Sequence, residues 1–414
     1  MIRYEDGRTL LAWQGYRILY PVSCPYPMRL VSMLSIAAGD IMTSEERRQA
    51  RYKRRRARRE AKKPKATYED VISLSALDKA ADMASRGVGW KASVQRYNLS
   101  RMFNIYKTHM ILKVGGDVRR GFICFDIRER GKLRHIQSVR IFERVAQKSL
   151  CTNALKPVLT KGLIYDNGAS QEGKGTHFQM KRLKVHLIRH FNKHGRKGGI
   201  LLIDFKDYFG NINHAKLKRI YERAFDDERV KKLAYSFIDA FDRGLGLGSE
   251  VSQISAITYP NRIDHYIKEV LRIKGYGRFM DDSYLIHEDK KYLEECLAVL
   301  KEYYREEGIV VNDKKTHILD LKHGIPFLKT RYYLTETGKV IMKPCRESIT
   351  RERRKLKKQA RLVNEGVMTY EQVRQSYQSW KGAMSHRDSY YTVRNMDRLF
   401  NELFIKEWRE NQNG

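Results

Sequence analysis

The sequence predicts an α+β fold, an antiparallel sheet with helices on one face. Gly199 to Phe205 is a continuous apolar run ending in one carboxylate, Asp204, the pattern of a fully buried strand. Gly277 to Ile286 sets Asp281 and Asp282 between two short aromatic and β-branched runs, which reads as strand, tight turn, strand. About three helical patterns separate them, and a helix and a strand follow, so segregated helices on an antiparallel sheet is the simplest packing.

Taken in order, residues 1–41 show no clear period, contain Pro21, Pro25 and Pro27, and are expected to be an extension. Met42 with Thr-Ser-Glu-Glu would equally begin a capped helix. Arg47 to Lys65 carries 12 basic residues and one acidic, which reads as a nucleic-acid-binding arm. Residues 68–112 are helical, with Val71, Leu74, Leu77, Ala80 and Met83 near helical spacing. Gly121–Ile127 and Leu133–Val139 form a basic hairpin turning at Arg130-Gly131-Lys132, and Ile141–Leu155 is a helix. Lys132 and Arg134 alternate outward on that hairpin, placed to grip a triphosphate. A Gly-rich loop over 162–176 leads into a helix over His177–Asn192, with Met180, Leu183, Leu187 and Phe191 on one face.

After Asp204 come helices over His214–Phe225 and Val230–Phe241. Gly244-Leu-Gly-Leu-Gly248 has no preceding strand and is no dinucleotide fingerprint; it offers flexible backbone beside a ligand. A helix then runs to about Val270, with Ser252 and Gln253 near its N-terminus, where amide donors face an anion or a base. Asp289 caps a helix that Gly308 ends. Ile309–Val311 is a strand, Ile325–Thr337 and Lys339–Met342 form a hairpin, and helices cover Glu347–Val363, Tyr370–Trp380 and Tyr391–Trp408.

The chain has 414 residues, 82 Lys+Arg against 48 Asp+Glu, and a formal charge of +34, which calls for a polyanionic partner, most simply nucleic acid. Even without the basic arm the surplus is +23. The five cysteines are isolated, so zinc and disulfide frameworks are not indicated and a reducing cytoplasm fits. No apolar run is long enough to cross a membrane, and Arg3, Glu5, Asp6 and Arg8 together with the basic segment beyond Leu30–Ala38 argue against reading that short apolar run as an export signal.

An Asp-Asp pair alone is ordinarily a solvated turn. A third carboxylate on a buried strand changes the reading, because neighbouring like charges are tolerated when bound to cations. Asp204 beside the hairpin tip would let Asp204, Asp281 and Asp282 hold two Mg²⁺ about 3.5–4 Å apart, the arrangement that serves phosphoryl and nucleotidyl transfer. Lys132 and Arg134 would hold an incoming triphosphate, and Lys315 would act as acid or clamp at the leaving pyrophosphate.

These blocks, in this order, resemble the prokaryotic reverse transcriptases of retrons, group II introns, diversity-generating retroelements and phage defence. Glu143-Arg144-Val145 and Asn167-Gly168 to Thr176 are similar to finger motifs. Ile203-Asp204 through Phe209 is similar to motif A, Ser252-Gln253 to motif B, and Phe279-Met280-Asp281-Asp282 to the YxDD box. Asn312 to Thr316 is similar to motif D and Gly324 to Leu328 to the primer grip.

The resemblance implies a right-hand polymerase: an extension and arm over 1–66, fingers over 67–195, an antiparallel-sheet palm over 196–345 and a helical thumb over 346–414. It implies RNA-directed DNA synthesis from an RNA template, a DNA or RNA primer and dNTPs. Asp204 and Asp281 would be the main metal ligands. Phe209, five residues after Asp204, would exclude a ribose 2′-hydroxyl, and Ser252 and Gln253 would contact the nucleotide. Phe327, Leu328 and Lys329 would contact primer and template. A dedicated non-coding RNA and an accessory protein are implied partners in a bacterial or phage retroelement or antiphage system. Phe279 stands for the usual Tyr, Ser-Gln for the intron enzymes' Pro-Gln-Gly, and Lys329 for a Gly. An RNA-templated RNA polymerase, an untemplated transferase and an RNA-binding, maturase-like protein remain open from the residues alone.

Overall fold

The computed structural model describes residues 2–3, 9–13, 16–20, 45, 48–54, 66–129 and 131–404, with only the backbone of residues 2–3, 9–13, 16–20, 129 and 132. The expectations placed on Met42, on most of the basic arm, on Arg130 and on Trp408 lie outside the described residues. The chain divides into two units, Met1–Lys63 and Pro64–Gly414. In the first, β1 (Ile2–Arg3), β2 (Thr9–Trp13) and β3 (Tyr16–Tyr20) form an antiparallel meander where no period was expected, and residues 48–54 are helical.

The second unit opens with α1 (Tyr68–Ile72), α2 (Leu74–Ser85), α3 (Ala92–Leu99) and α4 (Arg101–Lys113). Thr67 starts α1 with a capping box, its side chain accepting from the Asp70 N–H while Asp70 reaches back. β4 (Phe122–Glu129) and β5 (Lys132–Val139) make the expected hairpin, and α5 (Ile141–Leu150) continues through a π turn over Cys151–Leu155. α6 (Thr176–His194) leads to the central sheet.

That sheet has the order β7 (Gly275–Phe279), β8 (Asp282–His287), β6 (Gly199–Ile203), β9 (His317–Asp320), with every pairing antiparallel. Both of its faces are covered, not one. Leu201, Ile203 and Leu285 point into the largest core, built with the helical segments. Ile200, Leu202, Tyr284 and Ile286 point into a second core, made with Met180, Leu183 and Leu187 of α6 and with a small three-stranded sheet. Burial on two faces is why β6 reads as unbroken apolar sequence rather than alternation.

α7 (His214–Ala224) and α8 (Glu228–Ile238) follow β6 as expected. The single helix expected up to Val270 is instead two, α9 (Glu250–Thr258) and α10 (Asn261–Glu269), broken at Pro260, which cannot donate within a helix. α11 (Lys290–Glu306) is capped by Asp289. Ile309–Val311 contributes only an isolated bridge from Val311 to Phe205, and the pairing strand is β9. The small sheet comprises β10 (Ile325–Phe327), β11 (Thr330–Leu334) and β12 (Val340–Pro344). α12 (Arg346–Asn364), α13 (Tyr370–Met384) and α14 (Tyr390–Leu403) pack around Leu356, Val373, Tyr377, Met396 and Phe400.

Candidate active site

Register alone brings the carboxylates together. Ile203 pairs with Ser283, so one further step sets Asp204 opposite Asp282, with Asp281 next to it in the turn. Phe279 pairs with Asp282, leaving Met280-Asp281 as a two-residue hairpin loop. Met280 has φ +55°, a left-handed conformation at the first loop position that suits the twist of a tight hairpin. For a residue with a Cβ it costs about 1–2 kcal/mol.

The strained turn is held from beneath by Arg278, which is fully buried and donates from Nη1 to the Met280 carbonyl at 3.1 Å. Its guanidinium is neutralised by Asp264 of α10, equally buried, with Nη2 to Oδ2 at 2.7 Å and Nε to Oδ1 at 2.9 Å. Tyr276 donates to the same carboxylate, and Nη2 also reaches the Ile257 carbonyl at 2.7 Å. The Arg278 backbone is paired as well. Its N–H donates to the Asp166 carbonyl and its carbonyl accepts from the Gly168 N–H, each at 3.1 Å, tying the Gly-rich loop to the hairpin. Gly277 is required there, since a Cβ would come within 2.5 Å of Gln179 Nε2.

Asp204 is held from the opposite side. The loop from Asn312 to Thr316 wraps it: Asn312 Nδ2 donates to Oδ1 at 2.8 Å, Lys315 Nζ to Oδ2 at 2.5 Å, and the Asn312 N–H to the Asp204 carbonyl at 2.8 Å. Burial raises the Asp281 carboxyl, aided by the Asp204 charge and opposed by Lys315 and Arg134. Burial and the charges of Asp281 and Asp204 push Asp282 up to about 7. Arg134, exposed on β5, therefore lies close enough to act on the turn carboxylate, joining hairpin and sheet in one electrostatic site.

The donors are hard oxygens carrying surplus negative charge, and one ammonium already sits on Asp204, so the chemistry fits Mg²⁺. Among the described residues no three His, Cys, Asp or Glu side chains are gathered tightly enough to hold an ion unaided. Substrate oxygens and water would have to complete its shell, as Mg²⁺ sites ordinarily allow.

The other expected residues divide. Phe209 lies half-buried in a short 3₁₀ turn, edge-on to Tyr208 at 5.8 Å. Its carbonyl accepts from the Leu245 N–H, and a Cβ on left-handed Gly244 would lie 2.4 Å from that carbonyl oxygen. This is the close backbone approach that the glycine run permits. Ser252 is buried, and its N–H is taken by the cap Ser249 Oγ; the Gln253 N–H goes to the Ser249 carbonyl. Neither amide is a free anion donor, contrary to expectation, because the helix cap consumes both. What remains to meet a ligand is the exposed Gln253 side chain.

Phe327 is also not a surface contact. It is buried edge-on against Tyr284 at 5.1 Å, because β10 turns it into the second core. It anchors the Leu328-Lys329 loop, where both residues have positive φ (+46° and +59°) and Phe327 pairs with Thr330.

The support that Arg278 and Asp264 give the turn, and the hold of Asn312 on Asp204, are not legible in the sequence. A lone Arg in a strand and a lone Asp in an amphipathic helix carry no signal until the fold pairs them.

Residues 126–333, half of the chain, match the family model described as reverse transcriptase (RNA-dependent DNA polymerase). Solved structures to which the chain shows similarity include telomerase from Candida albicans in complex with a TWJ fragment of telomeric RNA, 13% identical with a TM-score of 0.47, over 70% of this chain and 56% of that one. Apo telomerase from Candida tropicalis truncated from its C-terminal domain is 15% identical with a TM-score of 0.41, over 58% and 60% of the two chains. The untruncated apo form is 13% identical with a TM-score of 0.41, over 58% and 53%. This chain therefore spans between 53% and 60% of the telomerase chains it resembles. No curated protein matches it. By the family match across half its length, the chain belongs to the reverse transcriptase family of RNA-dependent DNA polymerases.

Proposed function

We propose that this chain copies RNA into DNA, extending a DNA or RNA primer with dNTPs, and that Asp204 and Asp281 hold two Mg²⁺ with Asp282 less directly engaged. Residues 67–195, 196–345 and 346–414 would serve as fingers, palm and thumb. The observation that carries the reading is the strand register, which sets Asp204 opposite Asp282 beside the turn carboxylate Asp281. What Mg²⁺ supplies when bound is charge that makes a primer 3′-hydroxyl nucleophilic at neutral pH and balances the leaving pyrophosphate.

The chain's own residues do the positioning. Asn312 and Lys315 fix the two oxygens of Asp204, and Arg278 fixes the turn that aims Asp281. The Lys315 side chain is half exposed, so Nζ can leave Asp204 Oδ2 and give a proton to the departing pyrophosphate. Arg134, with Lys132 near it on β5, meets the triphosphate. Phe209 occupies the space a 2′-hydroxyl would need, and Gln253 contacts the nucleotide.

The Ser-Gln pair at 252–253 supports a prokaryotic retroelement or antiphage enzyme over an intron enzyme. Such an enzyme would work in the cytoplasm with a dedicated non-coding RNA and an accessory protein.

The test is primer extension on an RNA template with Mg²⁺, comparing dNTPs with NTPs. Template-dependent DNA product is expected, lost in Asp204→Ala and in Asp281→Ala while RNA binding persists. Synthesis surviving in both variants would end the assignment. Sequencing the RNA that co-purifies with the chain tests the choice of system.

A further inference from the structure

The central sheet has a second charged end. Strands β7 and β8 run from the catalytic turn to Gly275 and His287, about 13–17 Å away at the usual rise per residue. There, between these strand ends and the last turns of α6, lies a cavity of about 490 Å³. Its walls carry Arg189, Lys193, Arg272 and Lys274, all exposed, and none of the four makes an ion pair among the described residues. The one carboxylate in the wall, Glu288, is already faced by His194 Nε2 at 3.8 Å and His287 Nε2 at 3.5 Å.

The imidazoles there do not form a metal site, since no group of three ligating side chains among the described residues is arranged for one. Nor are they free bases: His190 Nε2 donates to the Lys197 carbonyl, and His287 Nδ1 accepts from the Asp289 N–H. Arg272 is fixed in the wall with φ +54°, a conformation a side-chain-bearing residue adopts only when its surroundings impose it. Four cations against one carboxylate leave a surplus of +3 facing one concavity, which favours an anion there, and they sit in the body of the fold rather than on an arm.

We propose that this cavity binds the phosphodiester backbone of RNA outside the primer–template path, giving the protein a second grip on its RNA. The identity of the polyanion rests on the polymerase reading above; the test needs no polymerisation, so the two can fail separately.

The full-length protein is acetylated with a lysine-reactive reagent, with and without a saturating unstructured RNA, and peptides are quantified by mass spectrometry. A parallel arm uses inorganic phosphate in place of RNA. RNA affinity is also measured against salt for two variants. One carries Arg189→Ala, Lys193→Ala, Arg272→Ala and Lys274→Ala. The other removes four exposed cations elsewhere, Arg219, Arg223, Lys232 and Lys291, also to Ala.

RNA is expected to slow acetylation of Lys193 and Lys274 about threefold or more relative to Lys232 and Lys291. The cavity variant is expected to flatten the log–log salt dependence by about 2–3, near 0.7 for each phosphate of a single strand that is no longer neutralised. Labelling of Lys193 and Lys274 unchanged by RNA, or equal salt slopes in the two variants, would overturn the proposal. Protection by inorganic phosphate but not by RNA would overturn it too, assigning the cavity to a small anion.

Discussion

Replacing Asp264 with Ala is the perturbation that bears most directly on how the carboxylate turn is built. Asp264 and Arg278 are both wholly excluded from solvent, and the carboxylate accepts three hydrogen bonds from the guanidinium and one from Tyr276. Removing it leaves a guanidinium that cannot shed its charge and a phenol without its acceptor. An uncompensated buried charge of this kind costs about 3–5 kcal/mol, a large share of a typical domain's 5–15 kcal/mol. Urea unfolding followed by far-UV circular dichroism should show that loss as a shift in midpoint at unchanged slope.

Stability and catalysis can then be separated. Asp264→Leu combined with Arg278→Met replaces the pair by apolar groups, which is commonly neutral or stabilising. It cannot restore the bond from Arg278 to the Met280 carbonyl. The double variant should therefore regain most of the stability yet remain slow in primer extension, with the loss in kcat rather than in KM for dNTP. A destabilisation below about 1 kcal/mol for Asp264→Ala, within the range of an ordinary surface change, would refute the claim that the pair is the turn's support. Full activity in the double variant would refute the role of the Met280 carbonyl bond.

Other outcomes follow from the same geometry. Arg272→Gly should stabilise the protein by about 0.5–1 kcal/mol in thermal melts, because Gly accepts the +54° φ that Arg tolerates at a cost. Phe209→Val should raise NTP incorporation relative to dNTP in primer extension, and unchanged sugar preference would remove Phe209 from that role. In metal-free buffer the folded Asp282 keeps its proton up to about 7, whereas the unfolded chain releases it near 3.8. The folded state then binds more protons across that window, and stability falls as pH rises through it. Asp282→Asn should thus gain on the order of 1–3 kcal/mol over the parent above pH 7 and nothing below about pH 4, read from melts in chelator.

What sequence could and could not reveal follows physical lines. The run Gly199–Phe205 and the hairpin around Asp281 were legible because two-sided burial and turn chemistry leave local marks. Their juxtaposition with Lys315 was legible from order alone. The break between α9 and α10 is marked by Pro260, but the helical pattern on either side of it masks the break. The loop at Leu328-Lys329 had no mark, since neither residue is a turn former and the sheet imposes their conformation. The Asp264–Arg278 pair was hidden for another reason: its partners lie on different elements, and burial, which makes it consequential, is a property of the fold and not of either residue. The engagement of the Ser252 and Gln253 amides by the Ser249 cap was similarly invisible without the start of α9.

The backbone stitch between Asp166–Gly168 and Arg278 sets a rule for rebuilding this protein from parts. The main-chain hydrogen bonds do not depend on side-chain identity, but Asp166 is ion-paired with Arg182 and Lys268, Asn167 donates to the Ile257 carbonyl, and a Cβ on Gly168 would lie 2.4 Å from Gln179 Oε1, so a segment exchanged for 162–176 must keep these three residues as well as the length. Length is another matter. A single-residue deletion ahead of Asn167 would shift every donor and acceptor along the seam by one, and the carboxylate turn two residues beyond Arg278 would lose its neighbour. Chimeras that cross over inside this loop should fail by insertion or deletion, and by substitution only where Asp166, Asn167 or Gly168 is lost.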